Sequence, residues 1–371
     1  MKVVYYTDQV YMHGGLERVL MNKLNYLSKH TSIELHLITF QQENNPSCYP
    51  IPETVICHDL AIDYNRDISF LSPSNIKFAY KHYSRLKRVL KKIKPDVVVV
   101  CNYEFGFYFM PLLSKNSILI KEYHSSKHFN YQKRLQTKSF IKNSIYKLTD
   151  YFEAKYDYLV VLTNDELKYF NSTNTKVIPN AITTGNHKVS SLEYKRAITA
   201  GRVAAVKGFD YAIKAWKIVA EKYPDWKLDI YGDGEPNYIL ELQKQITDSN
   251  LENQVFLKGA VNNLDEEMSQ SSIYVMSSLT ECFPMVLLEA MSYGLPVVSF
   301  DCPNGPRNIV TENKDGLLAA YLNTDDLANK VIKLIENKEL REQFGSEGTT
   351  NVQQYSEEKV MSEWLTIFNY D

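Results

Sequence analysis

Short runs of β-branched residues alternate with longer stretches of helical periodicity along this chain, and the alternation stops once and then starts again. Strands read at 2–7, 33–39, 96–101, 117–121, 158–162 and 175–178, with helices at Leu16–Lys29, 77–93 and near 132–149. Such alternation implies a parallel sheet with helices on both faces. After Pro179-Asn180-Ala181 a polar stretch, Thr183 to Lys195, shows no period and carries a Gly185-Asn186 turn signal, so it reads as a linker. Strands then resume at 196–200, 227–231, 254–258, 272–276 and 296–299, with helices at 208–222, 236–247, 284–293, 325–336 and 338–345. Two sequential α/β domains follow, 1–183 and 184–355. The tail opens with Ser356, Glu357 and Glu358 and then sets Val360, Trp364, Leu365 and Phe368 on one stripe. It reads as a helix, 356–371, that completes the first domain.

Composition narrows the class. A chain of 371 residues, 44% hydrophobic and 23% charged, has the makeup of an ordinary globular protein and excludes collagen-like and disordered classes. Its five cysteines include no Cys-x-x-Cys pair, which argues against a disulfide framework or a thiolate zinc site. Val3-Val4-Tyr5-Tyr6 reads as a strand rather than a secretory leader, and nowhere do 18 apolar residues follow one another. The expected location is cytoplasmic. Charge is uneven: residues 1–183 hold 24 Lys+Arg against 16 Asp+Glu, a net +8, and the remainder carries −10. Lys77 to Lys94 contains eight basic and no acidic residues, and Lys121 to Lys147 seven basic residues against one Glu. The halves are therefore expected to meet different partners.

In open α/β sheets ligands sit outside the carboxyl ends of the strands, so the loops there are where chemistry belongs. After the first strand comes His13-Gly14-Gly15-Leu16-Glu17-Arg18, without Gly-x-Gly-x-x-Gly spacing. Paired glycines let a backbone approach a ligand, and a helix N-terminus offers free N–H groups to an anion. After the first strand of the second domain, Arg202 and Lys207 bracket a loop in Gly201–Phe209 and suit a diphosphate. In Leu279–Met291, Glu281 lies in a loop and Glu289 inside an apolar helix, where a carboxylate is costly to bury unless it binds something. Ribose hydroxyls would serve. His124 follows a strand in Lys121–Ser126. Each feature also has a plain structural alternative: a tight turn, solvated charges, a Glu on a solvent face, a structural His.

Taken together, Gly14-Gly15-Leu16-Glu17-Arg18-Val19, Val177-Ile178-Pro179-Asn180-Ala181, Gly201-Arg202 with Lys207-Gly208, Tyr231-Gly232-Asp233-Gly234, and the pair Glu281 and Glu289 followed by Ala290-Met291-Ser292-Tyr293-Gly294-Leu295-Pro296 resemble the family 4 retaining glycosyltransferases of bacterial polysaccharide synthesis, over essentially the whole chain. The resemblance implies the GT-B fold, two facing Rossmann-like domains with an interdomain cleft, the nucleotide sugar held mostly by the second and the acceptor entering from the first. It implies that Arg202 and Lys207 bind the donor diphosphate, Glu289 the ribose and Glu281 the sugar hydroxyls, with backbone groups at Phe283, Met285 and Val286 as further donors. Gly14 and Gly15 would let the first domain approach the diphosphate, and His124 would lie near the transferred sugar. One departure is Asn308, where many members carry a Glu.

From the resemblance the donor is expected to be a UDP-sugar rather than a GDP-sugar, the acceptor a glycan or lipid-linked sugar, and the chemistry free of metal and cofactor. No Asp-x-Asp motif appears. Rival readings are a non-hydrolysing nucleotide-sugar epimerase and a non-catalytic sugar-nucleotide-binding protein; a Rossmann dehydrogenase lacks its glycine signature. Nucleic-acid binding is not expected, given the acidic second half. The two basic segments, with Phe78, Tyr80, Tyr83, Phe129, Tyr131, Phe140 and Tyr146 interleaved, read either as a peripheral contact with an anionic membrane on its inner face or as solvated helix faces of a lysine-rich chain.

Overall fold

The computed structural model describes residues 1–183, Gly185 and 188–370. It divides into two compact units, one of Met1–Ala181 with the C-terminal segment from Glu357, the other of Ile182–Ser356. The boundary thus falls two residues before the one read from the sequence. Thr184, Asn186 and His187, in the stretch read as a linker, lie outside the described residues. The end of that stretch is integrated in the second unit: Ser190 N–H donates to the Tyr293 carbonyl at 2.9 Å, and buried Leu192 accepts from Arg341 at 3.2 Å.

The first unit is built on a seven-stranded sheet of β1 (Lys2–Thr7), β2 (Glu34–Thr39), β3 (Ile56–Asp59), β4 (Val97–Val100), β5 (Ile118–Glu122), β6 (Tyr158–Val161) and β7 (Thr175–Val177). All its pairings are parallel, in the order β3-β2-β1-β4-β5-β6-β7. The four valines of β4 are fully buried, as a central parallel strand covered by helices on both faces requires. The helix Gly15–His30 buries Val19, Leu20, Leu24 and Leu27. Against it packs the terminal helix Glu357–Phe368, whose Trp364 and Phe368 are wholly buried in the same core.

The second unit repeats the plan with β8 (Arg196–Ala200), β9 (Lys227–Tyr231), β10 (Val255–Gly259), β11 (Ile273–Met276), β12 (Val297–Phe300) and β13 (Gly316–Ala319), ordered β10-β9-β8-β11-β12-β13. Besides the short helices Pro73–Ile76 and Leu264–Ser269, two strands and a longer helix escaped the sequence reading. The strands β3 and β13 are four-residue edges, ICHD and GLLA, with little β-branched content. The helix Phe105–Leu113 is apolar on every side and contains Pro111, so neither period nor propensity marks it. The segment read as one helix near 132–149 is two, His128–Gln136 and Phe140–Glu153.

Candidate functional site

Each sheet reverses its strand order once, between β1 and β4 in the first unit and between β8 and β11 in the second. At such a point the loops leaving two adjacent strands diverge to opposite faces and open a crevice. Lys207 and Glu281 meet at the second of these; Gly14 and Gly15 follow β1 at the first, and His124 follows β5, one strand beyond it.

In the second unit the loop after β8 meets the loop after β11. Gly208 makes the contact: its φ is +61°, and a Cβ there would lie 2.2 Å from the Ser277 carbonyl oxygen, so only glycine fits. A Cβ on Gly201 would touch the Lys207 chain at 3.6 Å, which shows that Lys207 folds back along its own loop. Its Nζ lies 2.7 Å from Glu281 Oε1, an ion pair bridging the switch point with both side chains partly exposed. The Glu281 backbone is held in turn by the loop after β12: its N–H donates to Pro303 at 3.1 Å, and its carbonyl accepts from Asn304 and Gly305 at 2.9 and 3.1 Å. Three loops therefore fix one carboxylate.

Glu289 lies in the helix Met285–Ser292, flanked by buried Leu288 and Ala290. It is half-buried and not enclosed, so the full desolvation cost expected for it is not incurred. Tyr274, whose hydroxyl hydrogen-bonds the backbone of Ala200 at 3.1 Å, reports its proximity: burial chiefly, then Glu289 and Glu281, push that phenol up. Pro284 caps the helix without a side-chain hydrogen bond, which leaves Met285 and Val286 at an N-terminus that favours anions. Phe283 is buried with its ring 5.5 Å from Tyr355 and serves packing. Arg202 is exposed and forms no ion pair among the described residues. Asn308, the departure noted in the sequence, donates to the Asn304 carbonyl at 2.5 Å and so braces the loop that holds Glu281.

In the first unit His124 stands two residues beyond Glu122, the last residue of β5. Its Nε2 lies 3.5 Å from Glu122 Oε2, and the other Glu122 oxygen pairs with Lys23 from the helix Gly15–His30. Glu122 and Lys23 are almost wholly buried, and the Lys23 ammonium also sits 3.8 Å from the centre of the Trp364 ring. Burial pushes the Glu122 carboxyl up, but Lys23 and then His124 pull it down further, so it is held well below the usual carboxylate range. Lys121, fully buried, donates to the carbonyls of Val100, Cys101 and Glu122 at 3.2, 2.9 and 2.7 Å and ties the ends of β4 and β5 together. Burial pushes it down to about 8. Burial, then Asp8, pushes buried Glu104 up to about 8.

Cys101, Glu122 and His124 offer ligand atoms within 4.8 Å of one another. Glu122 already has its charge matched by Lys23, and burial pushes the Cys101 thiol up, so the set suits an ion pair better than a cation. Gly15 has open space where a Cβ would stand, whereas Gly14, at φ −160°, is ordinary extended backbone beside the Glu17 carboxylate. Sequence reasoning missed Lys23, Glu104 and the Lys121-Glu122 pair. A signal existed for the last: two charges closing the otherwise apolar strand ILIKE.

Among the described residues no helix is long and apolar enough to cross a membrane. Two family models match the chain, Glycosyltransferase Family 4 over residues 13–186 and Glycosyl transferases group 1 over residues 186–351. An uncharacterized glycosyltransferase of Haemophilus influenzae is 28% identical over 99% of both chains. The poly(ribitol-phosphate) alpha-N-acetylglucosaminyltransferase of Staphylococcus aureus is 29% identical over 76% of this chain and 57% of its own. Among solved structures, Anabaena HepE in complex with UDP-glucose has a TM-score of 0.74 at 18% identity, covering 100% of this chain and 98% of that one. With matched models running from residue 13 to 351 on two parallel-sheet units, the chain belongs to the family 4 glycosyltransferases and has the GT-B fold.

Proposed function

We propose that this glycosyltransferase moves a hexose from a UDP-sugar, with retention and without a metal, to a glycan or lipid-linked acceptor in cell-surface polysaccharide synthesis. The observation that carries this reading is the Lys207–Glu281 pair at the strand-order reversal of the second sheet, beside the N-terminus of Met285–Ser292. An ammonium and a helix N-terminus suit a diphosphate, and a carboxylate suits sugar hydroxyls. The Anabaena structure is a complex with UDP-glucose, and the Staphylococcus relative is a poly(ribitol-phosphate) alpha-N-acetylglucosaminyltransferase. The first supports the choice of donor and the second the class of acceptor.

The chemistry follows from charge. As the bond between the anomeric carbon and the β-phosphate oxygen breaks, its electron pair stays on the diphosphate. Lys207, Arg202 and the helix N-terminus meet that growing charge, the kind of stabilisation worth most in catalysis. The acceptor hydroxyl attacks from the face the diphosphate leaves, forms the new glycosidic bond and gives its proton to the departing phosphate oxygen. Glu289 binds the ribose hydroxyls and Glu281 the sugar ring. In the first unit His124 is aligned by Glu122, and that unit rests on the inner face of the membrane.

A panel of UDP- and GDP-sugars, with and without EDTA, tests the reading by hydrolysis, product anomer and thermal shift. One UDP-hexose should be turned over at an EDTA-independent rate, and at about 100 times its Kd it should stabilise the protein by about 2.7 kcal/mol. An inverted product, exclusive use of GDP-sugars, loss of turnover in EDTA, or formation of an epimer of UDP-N-acetylglucosamine without acceptor would each overturn it.

A further inference from the structure

An amphipathic helix on a globular domain turns its apolar stripe inward and its lysines out. The basic helix Ala79–Ile93 does so: His82, Leu86, Leu90 and Ile93 are buried, while Lys87, Arg88, Lys91 and Lys92 are exposed. Of the aromatic residues expected to project from this region, only Tyr80 is exposed. Phe78 packs on the core of the first unit, and Tyr83 lies edge-on to Phe109 at 5.3 Å. This helix presents a solvated basic face with Tyr80 as its single exposed aromatic ring.

The helices His128–Gln136 and Phe140–Glu153 do the reverse. The first buries no residue and the second only Glu153. Phe140 is 84% exposed, Ile141 72% and Leu135 64%, and Phe129, Leu148 and Tyr151 are exposed as well. Phe140, Ser144, Lys147, Leu148 and Tyr151 recur at spacings of three and four and form one outward face. The hairpin is held in this attitude. Arg134 grips Asp150 through two hydrogen bonds, Nη1 to Oδ1 at 2.7 Å among them, and the Tyr108 hydroxyl reaches Thr149 at 3.2 Å. Lys127 and Tyr123 take up Glu153. Both acids of the hairpin are thus matched, while Lys133, Lys138, Lys142 and Lys147 are exposed with no ion pair among the described residues.

Large apolar side chains turned outward, ringed by unmatched ammonium groups on a braced hairpin, complement a surface that is apolar below and anionic above. We propose that the hairpin 128–153 is the surface by which the first unit docks on an anionic phospholipid bilayer, with Phe140 and Ile141 entering the acyl boundary and the four lysines meeting lipid phosphates. The inference rests on the peripheral location in the proposed function and assigns it to these helices instead of to 77–94.

The test is sedimentation with phosphatidylglycerol/phosphatidylcholine vesicles and with phosphatidylcholine vesicles alone, alongside light scattering without lipid and transfer from a UDP-sugar to a water-soluble acceptor. The variants are Phe140→Ser/Ile141→Ser, Lys138→Glu/Lys142→Glu/Lys147→Glu and, as a control, Lys87→Glu/Arg88→Glu. The wild-type protein should bind anionic vesicles in a salt-sensitive way, and each hairpin variant should lose about tenfold or more of that affinity. The control should keep most of it. The proposal is overturned if the wild-type protein ignores anionic vesicles, if the control loses as much as the hairpin variants, or if Phe140→Ser/Ile141→Ser dissolves a dimer without touching lipid binding. Transfer to the soluble acceptor separates the two readings. Transfer without vesicle binding removes the surface and keeps the activity; vesicle binding with no transfer from any donor removes the activity and keeps the surface.

Discussion

Replacing Lys23 by methionine tests the charge arrangement under His124 most directly. Methionine keeps a long apolar chain against Trp364 but removes the ammonium that Glu122 faces. The two side chains are 3% and 1% exposed, so the variant leaves a carboxylate in nearly dry surroundings. Breaking such a pair on one side costs about 3 to 5 kcal/mol. Because His124 remains 3.5 Å away, the lower end, about 3 kcal/mol, is expected. At roughly 3 °C per kcal/mol for a unit of this size, the melting temperature should fall by roughly 9 °C. The double variant Lys23→Met/Glu122→Gln should recover most of the loss, since removing both charges is far less costly than removing one. Acid supplies a second check. In the wild-type protein the folded carboxyl is held below its unfolded value of about 4.3, so its stabilisation is present above that pH and lost only as pH falls towards the lower folded value. Without Lys23 burial prevails, the folded value rises above the unfolded one, and the penalty relaxes on acidification. Melting followed by circular dichroism should therefore show the gap between variant and wild type narrowing from about pH 7.5 to about pH 5. A loss under 1 kcal/mol, or a gap that widens in acid, would refute the buried-pair reasoning.

Lys207→Ala should lower kcat/KM by the equivalent of about 3 to 4 kcal/mol while leaving the melting temperature nearly unchanged, since the partly exposed Lys207–Glu281 pair adds little to stability. Wild-type turnover in this variant would remove the diphosphate role. Glu289→Gln should weaken UDP itself as measured by calorimetry; unchanged affinity would dismiss the ribose contact. Gly208→Ala forces a Cβ to 2.2 Å from the Ser277 oxygen at φ +61°, and should cost about 2 kcal/mol or more in denaturant unfolding. Glu104, raised to about 8 by burial and then Asp8, favours the folded state most when protonated, so its contribution falls as pH rises from its unfolded value to about 8. Glu104→Gln should flatten that part of the stability profile, and an unaltered profile would show the group to be ionised throughout.

Much of the architecture was legible because it is local. A central parallel strand covered on both faces reads as a near-continuous apolar run, and Val97–Val100 does so without reference to any other residue. The loops after β8 and β11 were likewise legible, because strand end and helix onset follow one another within a few residues, with Gly208 before the first helix and Pro284 before the second. The elements that escaped are those whose local pattern is ambiguous: the edge strand ICHD, and a helix that is apolar all round.

What could not be read was which distant residues meet. Lys207 and Glu281 are 74 positions apart and pair because β8 lies beside β11. Lys23 and Glu122 are 99 apart and meet because the helix after β1 covers the end of β5. The same limit governed the surface. Periodicity marks the stripe of a helix but not which stripe is covered, so the basic segment 77–94 and the segment ending at Lys147 looked equivalent on paper. Packing separated them, sinking Leu86 and Leu90 into the first core and leaving Phe140 and Ile141 in the open. Backbone preference and side-chain spacing are properties of neighbours in the chain, whereas burial and ion pairing depend on sheet order, which brings remote segments side by side.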